Sequence, residues 1–287
     1  MTIQNLVLQN ATGSLIMQQS MIDQFAQQTK ATVTEQLANG CVRLRQIAVD
    51  ETLREQIEQQ CFEAKIDLYW ETQQRKLSDF KLVAMDMDST LITIECIDEI
   101  ADMQGLKPQV SEITEAAMRG ELDFQESLQR RVALLAGLDA SALDRVFEER
   151  LRLSMGAEAM LRTVQAAGLK TLLVSGGFTF FTNRLKQALQ LDYTHANELE
   201  IIDGKLTGKV LGTIVDADEK KRTVERVCAE LGIPTTQAIV MGDGANDLKM
   251  MSISGLSVAF RAKPIVRKQA SLALNFAGLH GALNYLV

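Results

Sequence analysis

Two aspartates one residue apart, Asp86 and Asp88, have the types and spacing that most directly suggest chemistry. In an extended chain, side chains at i and i+2 point the same way, so both carboxylates would face one pocket. Like charges that close are unfavourable unless a proton or a cation lies between them, and hard divalent ions such as Mg²⁺ prefer oxygen ligands. One carboxylate could attack phosphorus while the other handles a proton. A pair that only caps a turn is the alternative.

Two further segments combine glycines with polar side chains. Ser175-Gly176-Gly177 offers a hydroxyl and backbone N–H groups ahead of a predicted helix, which indicates a small anion site, although an ordinary glycine turn is equally compatible. Residues 242–247 read GDGAND, with Asp243 and Asp247 at a predicted helix start. Acids there also serve as N-caps, but two acids with two glycines exceed what a cap needs. This segment predicts a cation site.

A charge run at residues 218–222 places Lys220 and Lys221 side by side. A lysine here could screen the repulsion between an anionic nucleophile and an anionic phosphate. A solvated charge run is the alternative, and the choice between the two lysines stays open.

Short apolar runs precede three of these groups, at residues 81–85, 170–174 and 238–241. Continuous apolar strands alternating with helices predict a parallel sheet buried on both faces, and therefore an α/β, Rossmann-like fold. Ligands of such sheets bind beyond the carboxyl ends of the strands, where the polar groups stand. A largely helical insertion at about residues 92–155 is predicted to form a cap that covers the site.

Residues 1–75 have a different pattern, with strand-like stretches at 3–8, 31–49 and 66–70 and helix-like stretches at about 15–28 and after Asp50, a predicted N-cap. We expect a small α+β domain, with an element order that loosely matches an ACT-type ligand-binding domain. It would be regulatory or dimerising, joined by a linker near residues 71–76 to a second domain at 80–287.

Composition excludes several protein classes. The 287 residues carry a net charge of -7, from 30 Lys+Arg and 37 Asp+Glu, which disfavours nucleic-acid binding. The four cysteines are widely spaced, the N-terminus lacks signal-peptide features, and no apolar run reaches the ~18 residues of a membrane span. We expect a cytoplasmic protein without membrane or nucleic-acid partners. The oligomeric state is open, with a homodimer as one option.

The order of these motifs resembles that of the haloacid-dehalogenase-like phosphohydrolases. The resemblance covers roughly residues 80–287 and includes all four motifs of that superfamily. Within it, several segments resemble those of the phosphoserine phosphatases: residues 85–91, Glu95, residues 97–100, residues 174–178 and residues 242–247.

The resemblance implies Mg²⁺-dependent hydrolysis of O-phosphoserine to serine and phosphate, the last step of serine biosynthesis, through an aspartyl phosphate. It makes Asp86 the nucleophile and Asp88 the group that protonates the leaving oxygen and then deprotonates water. It assigns the Mg²⁺ ligands as Asp86, the Asp88 backbone carbonyl and Asp243, with Asp247 nearby. It implies that the phosphoryl oxygens are bound by Ser175, Gly176 and Lys220, and that Asn246 lines the site.

The same resemblance places Glu95 at the substrate ammonium and Arg131 at its carboxylate. Arg131 borders a helical apolar stripe that begins at Phe124, so it can turn toward a pocket and bind a carboxylate bidentately. An Arg that extends to solvent is the alternative. Met118 and Phe124 match apolar pocket residues of the family, with core packing as the plain alternative.

Two other functions stay open. The same chemistry could act on another small phosphomonoester or transfer the phosphoryl group to another alcohol. A phosphate-binding sensor without activity is the third reading, although such proteins usually lack a nucleophile or a metal ligand, and every candidate is present here.

Overall fold

The computed structural model describes residues 2–10, 17–37, 40–119 and 121–286, without the side chain of Met118. The strands, in chain order, are β1 (Thr2–Asn10), β2 (Val33–Gln36), β3 (Val42–Val49), β4 (Ile66–Glu71), β5 (Leu82–Met85), β6 (Lys170–Phe178), β7 (Tyr193–Ile202), β8 (Lys205–Leu211), β9 (Ala238–Gly242), β10 (Leu256–Phe260) and β11 (Leu272–Leu274). The helices are α1 (Gln19–Thr29), α2 (Glu51–Glu63), α3 (Cys96–Asp102), α4 (Lys107–Met118), α5 (Phe124–Ala133), α6 (Ser141–Arg145), α7 (Ala157–Ala166), α8 (Thr179–Leu189), α9 (Ala217–Glu230), α10 (Leu248–Met251) and α11 (Pro264–Gln269).

The chain divides into two units by its internal contacts. The first contains Met1–Val83, Met155–Leu169 and Pro234–Val287, and the second contains Ala84–Ser154 and Lys170–Ile233. The predicted boundary between residues 75 and 80 stays a prediction, because this division groups segments by contact and does not test separate folding.

The first unit holds strands in the order β2-β3-β1-β4-β11-β10-β9. The pairs from β2 to β11 are antiparallel, and β10 pairs in parallel with both β11 and β9. The N-terminal strands and helices share a hydrophobic core that includes Leu6, Leu44, Ile57 and Trp70. Asp50 caps α2 as predicted, because its side chain accepts a hydrogen bond from Leu53 N at 2.8 Å. The described residues between 2 and 71 combine strands with helices, and a separate α+β domain stays a prediction.

The second unit pairs β6 with β7 in parallel and β7 with β8 as an antiparallel hairpin. The hairpin turn is Asp203-Gly204, both with positive φ, at 50° and 74°. Such turns match the right-handed twist of the flanking strands. The hairpin contacts the segment that follows α5, because Gly137 N donates to Leu206 O at 2.8 Å and Leu206 N donates to Leu138 O at 2.8 Å. It was not predicted from the sequence.

The helical insertion leaves and rejoins the second unit at adjacent points. Thr93 N donates to Arg152 O at 3.0 Å, and Ser154 N donates to Leu91 O at 2.9 Å, so the two ends of the insertion are joined. Helices α3 to α6 lie between these ends. The prediction of a helical cap inserted after the first strand is therefore confirmed.

The predicted fold class, α/β with parallel strands and a helical insertion, is confirmed. All three apolar runs form strands, and β6 continues past the predicted end to Phe178. The first helix begins at Gln19, and the part of its predicted range before residue 17 lies outside the described residues. Among those residues, no helix is both long and apolar enough to cross a bilayer.

Candidate active site

Asp86 lies directly after β5, a strand whose four residues are all buried. Its carboxylate is itself buried, with 5% of the residue exposed. Oδ1 accepts a hydrogen bond from Met87 N at 2.7 Å and lies 2.8 Å from Lys220 Nζ. A buried carboxylate is costly without a partner, so the lysine offsets the cost of burying Asp86 and fixes its orientation.

Lys220 lies near the start of α9 and is completely buried. The helix begins at its N-cap Asp216, whose side chain accepts hydrogen bonds from the backbone of Asp218 and Glu219. Lys221, in contrast, has a side chain that is 39% exposed and lies 3.7 Å from Glu225. The geometry therefore places Lys220, the predicted residue, beside Asp86.

Asp88 stands in the turn that follows Asp86, where Ser89 has a positive φ of 55°. Cys96 N donates to Asp88 Oδ1 at 3.3 Å. Burial, with a further contribution from the negative charge of Glu95, raises the pKa of Asp88 to about 7. A carboxyl group that retains its proton to such a pH can give it to a leaving oxygen and take another from water.

The Ser175-Gly176-Gly177 loop packs against Asp88. The hydroxyl of the buried Ser175 accepts a hydrogen bond from Gly177 N at 2.8 Å. A Cβ on Gly177 would lie 2.8 Å from Asp88 Oδ2, so any larger residue here would require the Asp88 side chain to shift. The predicted anion loop and the predicted acid–base residue are thus neighbours.

The cap meets the same loop through the start of α5. A Cβ on Gly176 would lie 2.9 Å from Phe124 Cζ, so the Phe124 ring covers this glycine. Next to it, Gln125 Nε2 donates to Asp216 Oδ2 at 2.7 Å and links the cap to the N-cap of α9. Phe124 is therefore in contact with the loop, as the pocket prediction requires.

Glu95 and Arg131, the predicted substrate contacts, belong to one charged cluster. Ser89 Oγ donates to Glu95 Oε1 at 2.6 Å. Arg131 is half-buried, and burial lowers the pKa of its guanidinium while the charges of Asp98, Glu95 and Asp88 oppose that shift. The guanidinium thus lies close enough to these three carboxylates to interact with their charges, and it does not extend fully into solvent.

The loop after β9 is organised by Asp247, which is completely buried. Its Oδ2 accepts hydrogen bonds from Asp243 N at 3.1 Å and from Gly244 N at 3.0 Å. Asn246 is half-buried, and a Cβ on Gly244 would lie 2.2 Å from its Oδ1. Asp247 therefore holds the backbone that carries Asp243.

Two carboxylates of this loop could contribute to a metal site. Asp243 and Asp247 each offer an oxygen, and these oxygens lie within 4.8 Å of each other. Anionic oxygen ligands of this kind suit Mg²⁺. The ligand set of Asp86, the Asp88 backbone carbonyl and Asp243 stays a prediction.

Two residues beside Glu95 and Arg131 were not predicted from the sequence. Ser89 donates a hydrogen bond to Glu95, and the negative charge of the half-buried Asp98 opposes the lowering of the Arg131 pKa by burial. Asp98 lies within the segment that matched the family, but its spacing alone gave no reason to single it out. The side chain of Met118, a predicted pocket residue, lies outside the described part of the chain.

Known proteins share much of this sequence. The sequence profile of the haloacid dehalogenase-like hydrolases matches residues 83–252. A phosphoserine phosphatase from a Polaromonas species is 57% identical over 209 residues, which cover 71% of this chain and 89% of that protein.

Two solved structures extend the likeness to nearly the whole chain. A HAD family hydrolase from Salmonella enterica serovar Typhi has a TM-score of 0.86 and 32% identity, and the match covers 99% of this chain and 98% of that one. A probable phosphoserine phosphatase from Vibrio cholerae, in unliganded form, has a TM-score of 0.81 and 34% identity over 99% and 86% of the two chains. The chain therefore belongs to the haloacid dehalogenase-like hydrolases and, within them, to the phosphoserine phosphatase family.

Proposed function

We propose that this chain hydrolyses O-phosphoserine to serine and inorganic phosphate, with Asp86 as the nucleophile. The observation that carries the proposal is the buried Asp86–Lys220 pair, at 2.8 Å, in the same unit as Asp88 and the Ser175 loop. The identity to phosphoserine phosphatases supports the substrate.

In the first step, a carboxylate oxygen of Asp86 attacks phosphorus and the bond from phosphorus to the serine oxygen breaks. Asp88 gives its proton to that oxygen, so serine leaves as a neutral alcohol. Lys220, the Ser175 hydroxyl and the Gly176 N–H bind the phosphoryl oxygens, and Asn246 lines the site. Donors fixed in place stabilise charge in the transition state without having to reorganise.

In the second step, water attacks phosphorus in the aspartyl phosphate and gives a proton to Asp88. The bond from phosphorus to Asp86 breaks, so phosphate is released and both aspartates return to their starting states. Phe124 covers the Ser175 loop from the cap, and exclusion of bulk water there strengthens the electrostatic contacts.

Mg²⁺ is the proposed cofactor, held by Asp86, the Asp88 backbone carbonyl and Asp243, with Asp247 in support. The carboxylates of Asp243 and Asp247, whose oxygens lie within 4.8 Å of each other, support a cation at this loop. When bound, the ion would neutralise charge on the nucleophile and the phosphoryl group.

Turnover of a panel of phosphomonoesters tests the proposal directly. We expect phosphate release from O-phosphoserine with Mg²⁺, at least about tenfold faster in kcat/KM than from phosphothreonine, phosphoethanolamine or phosphoglycerate. Excess EDTA should abolish it, and Mg²⁺ should restore it. Preference for another ester would shift the proposal to a related phosphatase, and phosphoserine binding without release would indicate a sensor.

Arg131 is proposed to bind the substrate carboxylate and Glu95 the ammonium, with Met118 and Phe124 as apolar neighbours. Replacing Arg131 by Ala should raise KM for phosphoserine about 10- to 100-fold, as expected for a lost charge-assisted bidentate contact. Hydrolysis of p-nitrophenyl phosphate, which lacks the carboxylate, should change less than about threefold.

Arg130 provides the matched control for this test. It lies on the same helix but is exposed, and its guanidinium contacts Glu126 Oε1 at 2.6 Å. Arg130→Ala should leave both substrates within about twofold of wild type, because exposed ion pairs contribute little. Equal losses on both substrates for Arg131→Ala would contradict a carboxylate contact.

Two further proposals concern the role of the N-terminal segment and the cellular location of the protein. We propose that residues 1–75 form a domain with a regulatory or dimerising role. The hydrophobic core within that segment supports its being a domain. A cytoplasmic location is supported by four buried cysteines, none of which forms a disulfide.

A further inference from the structure

Asn197 lies in β7 beside an irregularity in β6. Ser175 pairs with Ala196, but Asn197 pairs with Phe178, so Gly176 and Gly177 are extra residues that leave the ladder. A backbone group that leaves a buried ladder needs another hydrogen-bond partner. The partner for the carbonyl of Gly176 is a side chain.

Both ends of the Asn197 amide are used. Nδ2 donates to Gly176 O at 2.8 Å, and Oδ1 accepts from Val215 N at 2.8 Å. Asn197 is only 1% exposed, so these contacts are shielded from water. The side chain thus ties the glycine loop to the segment just before α9.

The first of these bonds controls the Ser175 hydroxyl. The peptide group between Gly176 and Gly177 is held at both ends, since its C=O accepts from Asn197 and its N–H donates to Ser175 Oγ at 2.8 Å. Because Ser175 Oγ accepts there, its own proton is directed to another acceptor. Hydrogen bonds in such a chain strengthen one another.

The second bond concerns Lys220. Val215 directly precedes Asp216, the N-cap of α9, and Lys220 N donates to Asp216 O at 2.9 Å in the first turn of that helix. A fixed Val215 therefore fixes the start of the helix that carries Lys220 to Asp86.

We propose that Asn197 is a positioning residue for phosphate binding, one that aligns the Ser175–Gly177 loop and the Lys220 helix around the phosphoryl group. The inference rests on the proposed roles of Ser175, Gly176 and Lys220. Asn197 acts through those groups and does not itself touch the substrate.

Two substitutions of Asn197 test this. Asn197→Asp keeps the shape and the acceptor for Val215 N but puts a carboxylate oxygen opposite Gly176 O. Asn197→Ser is neutral and too short to span both partners, which separates lost positioning from added charge. For each we expect Ki for orthophosphate to rise about tenfold and kcat to fall by a similar or larger factor, as the loss of one positioned contact predicts.

Thr171→Val is the matched control. Thr171 is buried at the opposite end of β6, where its hydroxyl and the Asp192 carboxylate lie 3.1 Å apart. It should lower the melting temperature as the Asn197 variants do, yet leave Ki for orthophosphate within about twofold. A merely structural role for Asn197 would make phosphate affinity follow stability in all three variants.

Three results would overturn the proposal. These are folded Asn197 variants with wild-type phosphate affinity, an equal loss of affinity in Thr171→Val, or failure of both Asn197 variants to fold. A wild-type protein that neither releases phosphate from phosphoserine nor binds orthophosphate would instead refute the proposed function.

Discussion

Asp86→Asn is expected to reduce kcat for phosphoserine by about 10⁴-fold or more, because the amide cannot form the aspartyl phosphate. The substitution keeps the size of the side chain. It also removes the carboxylate charge from Lys220, which is completely buried 2.8 Å away. Loss of one member of a buried pair costs about 3–5 kcal/mol, so the variant should be clearly less stable than wild type.

A double variant separates the chemical effect from the structural one. Asp86→Asn combined with Lys220→Met removes both charges, so most of the lost stability should return while activity stays absent. Urea unfolding and steady-state phosphate release measure the two effects. Full activity in folded Asp86→Asn would refute the proposed nucleophile.

The location of the site could be predicted from sequence because its signals are local. Each apolar run at residues 81–85, 170–174 and 238–241 ends where a polar motif begins, and a buried strand must emerge from the core at that point. Strand and motif are then adjacent in the chain, so no tertiary information is needed to place Asp86 directly after β5. Ser175 lies within β6, at the residue after which its regular pairing with β7 is interrupted.

The motifs alone do not distinguish Lys220 from Lys221, but the spacing of the apolar residues in α9 does. The buried face of α9 includes Lys220, Val224 and Val227, at helical spacings of four and three residues. Lys221 is instead in phase with Glu225, on the exposed face. The helical period therefore indicates which lysine turns inward, once the start of the helix is placed correctly.

Other contacts depend on tertiary packing and could not be found this way. The Asn197 side chain reaches a carbonyl 21 residues back in the chain, and only the irregular pairing of β6 and β7 creates the need for it. The β7–β8 hairpin, in contrast, could have been predicted locally, because Asp-Gly is a typical two-residue turn between antiparallel strands.

Lys220 and Lys221 offer a second test with a large expected effect, because adjacent lysines have opposite environments. Lys220→Met should lower kcat/KM for phosphoserine by about 10²- to 10³-fold, the usual cost of removing one fixed donor from a charged transition state. Lys221→Met should stay within about twofold, since its partly exposed ion pair with Glu225 contributes little.

The comparison also separates the function of Lys220 from its contribution to stability. Lys220→Met leaves the buried Asp86 without its positive partner, so activity must be measured below the melting temperature that circular dichroism gives for each variant. If Lys220 binds phosphoryl oxygens, Ki for orthophosphate should rise together with the loss in kcat/KM. A buried ammonium beside the nucleophile must attract any anion that binds there. A direct role for Lys220 would therefore be contradicted by unchanged phosphate affinity in folded Lys220→Met, or by an equal loss of affinity in Lys221→Met.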